Sequence, residues 1–349
     1  MIQDLQTVQA ETGATFESIS DLSVAISYGN NTAALQAAQS SCALVDRSHW
    51  GQIQVSDADR IRFLHNQSTN NFEKLQPGQG CDTVFVTSTA RTIDLVTAYV
   101  MQETVLLLVS PQCRQSLLTW LDRYIFFADK VTLSDLTKEN AVFSLIGPES
   151  SKILNRLGLD ELPDRYANHC LIQLERTEVR IAAGSSLATG GYTLIVPADR
   201  AAVIWKTLIA VGAVPAGNRV WEQLRIEQGR PVPGRELTED YNPLEAGLWH
   251  TISFDKGCYI GQETIARLDT YQGVKQKLWG IRLNDWVEPG SFVKVGDNKV
   301  GKLTSITETN QGLFGLAYIR TKAGGEGIKV TVGESTGEVV KVPFLTHRQ

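Results

Sequence analysis

From about Lys275 onward the chain stops interleaving helices with strands and becomes a series of short β-rich runs. These are Leu278–Leu283, Phe292–Val295, Lys299–Thr307, Phe314–Ile319 and Lys329–Val332, punctuated by glycines. Runs this short, with turn residues between them, form a small antiparallel barrel or sandwich. Upstream the pattern is mixed. Gly51-Gln-Ile-Gln-Val-Ser56 alternates as a half-buried strand, and Asp82–Ser88, Thr92–Val100 and Thr104–Val109 are strand-like. Thr32–Gln39, the stripe Ile61, Phe63 and Leu64, the Ser110-Pro111 start, Asp199–Val211 and Arg219–Gln228 read as helices. Strands and helices follow one another without strict βαβ order, so the fold class is α+β. The change of texture divides the chain into an α+β region, 1–274, and a β-barrel domain, 275–349.

Charge and cysteine usage exclude several functions. Lys and Arg total 33 and Asp and Glu 38, giving 33 − 38 = −5. That balance, with no basic stretch interleaved with aromatics, argues against direct nucleic-acid binding. The five cysteines are an odd number with no CxxC pair, so they read as free thiols of a reducing, cytoplasmic compartment. The five histidines are scattered, and no metal site is expected. The first 30 residues lack a basic stretch followed by an apolar run, and Val105–Val109 is far too short to span a bilayer, so no signal peptide or membrane partner is expected.

The densest local signal is Lys256-Gly257-Cys258-Tyr259-Ile260-Gly261-Gln262-Glu263, followed by Thr-Ile-Ala-Arg267. Two glycines four apart allow a tight turn or a close approach to a ligand. Gln262 and Glu263 begin a short helix whose positive end points back at the loop. Cys258 stands near that end and two residues from Lys256, and both effects favour a thiolate. Without further context the same residues also describe a buried cysteine in a tight turn.

This segment resembles the K-G-C-[FY]-x-G-Q-E-x3-[KR] signature of the YgfZ folate-binding family, relatives of the aminomethyltransferase (T-protein) of the glycine cleavage system. The resemblance continues through Asn242-Pro-Leu-Glu-Ala-Gly-Leu248, Ile252-Ser-Phe254, Arg225-Ile-Glu-Gln-Gly-Arg-Pro231, Leu145-Ile-Gly-Pro-Glu149 and Thr69-Asn70-Asn71. It implies a T-protein-like fold around a central folate cleft, with two intertwined subdomains in 1–274 and the barrel at the C-terminus. It also implies a folate-dependent accessory role in maintaining iron–sulfur enzymes, and through them in tRNA modification. The implied cofactor is tetrahydrofolate or a derivative; the implied protein partners are iron–sulfur enzymes or assembly proteins.

A folate site needs a carboxylate for the adjacent N–H donors of the pterin, apolar or aromatic walls, and a cation for the glutamate tail. Arg225 matches a folate-cleft arginine of the T-protein pattern, with Arg230 and Arg235 as competitors. Tyr192 and Tyr259 are candidate walls. Glu245, Gly261, Gln262 and Glu263 are further contacts, although Glu245 and Glu263 could instead cap helices. Lys256 is a candidate for neutralising the folate tail or for keeping Cys258 ionised. Glu227 is a candidate carboxylate only if Arg225, two residues away on the same helix, does not face the cleft.

The departures bear on catalysis. T-proteins carry an acidic pair in a strand reading roughly G-x-I-D-D-L-I-V-Y, with the second aspartate linked to chemistry. Here the run is Thr92-Ile-Asp94-Leu95-Val-Thr-Ala-Tyr99, so only the first acid is present. The T-G-E-D-G-F-E pattern is reduced to Thr189-Gly-Gly-Tyr-Thr193. The leading expectation is therefore an accessory protein centred on Cys258. The alternative is a folate-dependent aminomethyl or one-carbon transferase in which Asp94, Glu227 or Glu245 serves as the acid.

Overall fold

The computed structural model describes residues 2–347. The chain forms two compact units. The first contains Met1–Phe63, Phe72–Asp82 and Val96–Glu222; the second contains Leu64–Asn71, Thr83–Leu95 and Gln223–Gln349. This division does not follow a cut at 274/275. The barrel strands begin at Gln276, yet two short excursions from the N-terminal half and residues 223–274 belong to the same unit as the barrel.

The first unit is built on a six-stranded sheet. Its order is His169–Leu174, Thr177–Ala183, Gly191–Pro197, Asn140–Ile146, Ala43–Asp46 and Val214–Ala216. All neighbours are antiparallel except the last pair, which is parallel. The helix Ala201–Ala210 buries Ala201, Ile204, Trp205 and Leu208, the i, i+3, i+4, i+7 stripe of an amphipathic helix. Trp205 is fully buried, edge-on to Phe143 at 5.2 Å and stacked with Tyr28 at 6.1 Å. The N-terminal stretch, polar and weakly patterned in sequence, forms the helix Ile2–Glu11 and a hairpin, Thr15–Ile19 with Leu22–Ser27. Leu5, Val8 and Ala25 from these elements complete the core.

The second unit contains a closed six-stranded barrel. Around it run Gln276–Leu283, Gly312–Arg320, Asn298–Thr309, Phe292–Val295, Lys329–Val332 and Ser335–Val340, the last closing on the first. The sequence reading found five of these strands and missed Ser335–Val340, where Gly337 and Glu338 interrupt the apolar pattern. Gly337 is required there, since a Cβ would stand 2.4 Å from the Arg282 carbonyl. A second apolar cluster holds Val84, Val86 and Leu95 against Ile226, Leu237, Tyr241, Leu278 and Tyr318. Tyr241 and Tyr318 stack with ring centroids 3.5 Å apart.

Among the described residues no helix is long and apolar enough to cross a membrane. All five cysteines are free thiols.

Candidate functional site at the Lys256–Glu263 loop

The loop alternates between inward and outward residues. Lys256 and Tyr259 are buried, whereas Gly257 and Cys258 are exposed. Lys256 sets this register. Its ammonium donates to the carbonyl oxygens of His65, of Ser68 at 2.7 Å and of Asn70 at 2.7 Å. An ammonium has three N–H donors, and each has a carbonyl. His65 lies in the last turn of the helix Arg60–Gln67, where carbonyls lack helical partners and the dipole favours a cation. The amide that a continuing helix would give to His65, that of Thr69, is bonded to Val84 instead. The Lys256 ammonium also stands 4.6 Å from the Tyr259 ring centroid.

The segment clamped by Lys256 is fixed from other sides as well. Thr69 Oγ1 donates to the Thr251 carbonyl at 2.8 Å, and the Ser253 amide donates to the Thr69 carbonyl at 3.0 Å. The Ile260 amide reaches the Asn66 carbonyl at 3.0 Å. Cys258 is thus exposed between two residues, Lys256 and Ile260, that are both bonded to the segment 65–70.

Gly261 ends the loop and begins the helix Gln262–Thr270. Its φ of +82° is unfavourable for any residue with a Cβ. A Cβ there would also lie 2.9 Å from the Thr87 carbonyl and from Val86. The Gln262 amide bonds the Tyr259 carbonyl at 3.1 Å. Glu263 is exposed in the first helical turn, where a negative charge complements the dipole. Tyr259 packs with Ala90, Leu244, Ile252, Ile265 and Val274, and burial raises its hydroxyl well above the usual range.

Several candidates occupy other places. Arg225 is fully buried, with Nη1 donating to Glu236 Oε2 at 3.0 Å and Nη2 to Ser305 Oγ at 3.0 Å. It therefore presents no guanidinium to a ligand tail. Arg230 is likewise buried, over the Phe344 ring at 5.5 Å. The Lys256 ammonium is taken up by three backbone carbonyls. Glu245 accepts from the Asn242 amide at 3.2 Å, while Asn242 Oδ1 accepts from the Glu245 amide at 3.0 Å. That reciprocal pair closes the turn Asn242–Glu245, so the Glu245 carboxylate is held by the backbone of its own turn. Tyr192 belongs to the first unit, in the strand Gly191–Pro197 opposite Leu145.

The acidic strand also resolves. Leu95 shares the apolar cluster with Val84 and Val86. Successive strand residues face opposite sides, so Asp94, fully buried, stands on the other face together with Thr83. Thr83 Oγ1 accepts from the Asn70 amide at 3.0 Å. Thr83 thus joins its strand to the Lys256-clamped segment, which pairs along the strand edge through Thr69 and Val84. An acid at position 95 would lie in a closed apolar cluster.

One residue gains an importance that the sequence did not give it, and Glu227, a conditional candidate in sequence, meets its condition. His65 Nε2 stands 3.8 Å from where a Cβ of Gly257 would be, beside the exposed thiol's loop. A separation of 191 positions between Lys256 and His65 leaves no local pattern to reveal this. Glu227 is half-buried and accepts from Gln223 Nε2 at 2.8 Å. Burial raises its carboxyl above the usual range. Because Arg225 points to Glu236 and Ser305, Glu227, about 200° further round the helix, is turned away from that ion pair.

An α+β body with a closed C-terminal barrel defines the class: the fold is that of the glycine cleavage T-protein. A solved aminomethyltransferase T of the glycine cleavage system from Bartonella henselae superposes with a TM-score of 0.86, at 18% identity, over 99% of this chain and 98% of that one. Residues 5–256 match the GCVT N-terminal domain model, and the chain belongs to that family. A protein of Arabidopsis thaliana named "Putative transferase, chloroplastic" is 48% identical over 334 residues, spanning 95% of this chain and 77% of its own length. An aminomethyltransferase of Halothermothrix orenii is 30% identical over 355 residues, covering 97% and 98%.

Proposed function

We propose that this chain is a reduced-folate-binding protein that maintains iron–sulfur enzymes through the Cys258 thiol, in the manner of the YgfZ family. The observation that carries the reading is the exposed Cys258 on a loop whose neighbours, Lys256 and Tyr259, are both anchored inward. Tetrahydrofolate or a derivative is the ligand, enzymes that thiolate tRNA are among the clients, and the cytoplasm is the location.

A flat ring with adjacent N–H donors needs a carboxylate that is half-desolvated and held in place, and Glu227 with Gln223 provides one. When bound, the folate supplies the one-carbon carrier. Glu227 orients its ring, and Tyr259 backs the Cys258 loop. Calorimetric titration with tetrahydrofolate tests the ligand: binding saturates in the wild type and weakens about tenfold or more in Glu227→Gln. Cys258→Ala keeps folate binding but does not restore iron–sulfur enzyme activity in a strain lacking the protein. Full rescue by that variant would remove the thiol from the mechanism.

A second reading, a one-carbon transferase of the T-protein type, is favoured by the position of Asp94 and by the names of the relatives. In that reading Asp94 holds the reacting amine. Methylene transfer by the wild type that disappears in Asp94→Asn supports it, and a wild type without turnover sinks it.

A further inference from the structure

We propose that the outer face of the C-terminal barrel is a docking surface for an acidic, extended polypeptide segment of a partner protein. The face is made by the strands Phe292–Val295, Lys329–Val332, Ser335–Val340 and Gln276–Leu283, neighbours in that order around the barrel. It carries a cavity of about 590 Å³, within the range of ligand pockets. None of the residues placed in the folate or thiol reading lines it.

The strand register gathers the charges. Leu283, Val293, Val330, Val332 and Val339 fill the barrel core, so the residues alternating with them point outward. Lys329, Glu338 and Arg282 stand opposite one another on three adjacent strands. Two residues along, Lys294, Thr331 and Thr336 do the same. All six line the cavity. From strand spacing and rise, the backbones of Arg282 and Lys329 are roughly 10 Å apart, and those of Lys329 and Lys294 roughly 8 Å. Side chains two or three residues apart on an extended chain are separated by about 7–10 Å, so its carboxylates match these intervals.

Charge selects the partner. The lining holds Arg282, Lys294 and Lys329 against the single acid Glu338, 3 − 1 = +2, on a chain whose net charge is −5. Glu338 is committed to Lys329 at 2.5 Å. Arg282 and Lys294 form no ion pair among the described residues. The acids next along the chain, Asp285 and Asp297, do not line the cavity. Thr331, Thr336 and Gln311 add hydroxyl and amide groups that suit a peptide main chain. No aromatic ring lines the cavity, whereas single-stranded nucleic acid is held by bases stacked on such rings. The matching anion is therefore a run of carboxylates.

The probe is a fluorescein-labelled peptide of alternating Glu and Ser, about ten residues long, titrated into the full chain and followed by anisotropy. Binding is expected to saturate at low salt and to weaken as NaCl rises from about 50 to about 300 mM. The same peptide with Gln for Glu binds at least about fivefold more weakly. The double variant Arg282→Gln/Lys294→Gln, at positions outside the barrel core, loses about fivefold in affinity with an unchanged denaturation midpoint. A carbodiimide cross-link in the wild type joins a peptide carboxylate to Lys294 or Lys329, a readout that needs no variant to fold. No saturation up to about 2 mM peptide, equal affinity in the double variant, or cross-links only outside this face would overturn the proposal. So would tighter binding of an oligothymidylate than of the peptide.

Discussion

Two cations of the second unit are buried by different means. Arg225 is neutralised by a carboxylate: Glu236 takes Arg225 and the Val232 amide on one oxygen, and Thr304 and Ser305 hydroxyls on the other. Lys256 is met by three backbone carbonyls of a helix end and its following turn. The first arrangement ties a helix to a barrel strand at the irregularity between Leu303 and Ser305. The second shapes a loop and leaves its thiol outside. A basic residue within a functional motif can thus serve the backbone, and its neighbour can be the one that meets a partner.

Breaking the first arrangement has the largest effect. Arg225→Ala strands the Glu236 carboxylate with no cation, and unfolding free energy falls by about 3–5 kcal/mol, read as a lowered denaturation midpoint. Arg225→Lys recovers only part, because one ammonium cannot span the two groups that the guanidinium fork reaches. Breaking the second removes charge-assisted bonds and orphans carbonyls. Lys256→Met costs about 2–3 kcal/mol, and hydrogen exchange at the amides of 68–71 rises.

The candidate site was legible in its residue types and opaque in its roles. Gly261 was readable, because a glycine before a short helix signals a left-handed turn. The barrel was readable from short runs between glycines. The bonding of Lys256 is not legible in sequence because its partners are carbonyls, which every residue carries and no sequence distinguishes. Arg225 was misread because Glu236 and Ser305 come from a loop and a strand whose approach is set by the fold. Glu227 is legible in sequence only conditionally, because its direction depends on where Arg225, two residues away on the same helix, points.

Histidines extend the comparison to cations that are avoided altogether. In the first unit, burial and the neighbouring Arg47 lower the His49 pKa to about 3, and burial with Arg180 lowers that of His169 to about 4. His169 accepts from Arg180 at Nδ1, 2.9 Å away, and bonds the Val100 carbonyl through Nε2, which fixes the neutral form. The unfolded chain binds a proton near pH 6.5 that the folded chain refuses, so stability falls as pH drops from about 6.5 towards 4. Each such histidine adds a slope of about 1.4 kcal/mol per pH unit within its window. His169→Asn flattens the acid limb of a stability–pH curve. An unchanged slope would contradict a neutral ring.

The smallest effect is expected at the thiol. Cys42 is fully buried with its pKa pushed up to about 11, whereas Cys258 is exposed. Alkylation of the native protein therefore modifies Cys258 well before Cys42, as peptide mass mapping will show. Cys258→Ala changes stability by less than about 0.5 kcal/mol, as for surface positions in general.

The split of roles inside one motif is tested most directly by urea unfolding of Cys258→Ala and Lys256→Met, measured side by side with the wild type. The account predicts a Cys258→Ala curve that overlays the wild type and a Lys256→Met midpoint clearly lowered. Equal shifts in both variants, or no shift in Lys256→Met, would contradict it.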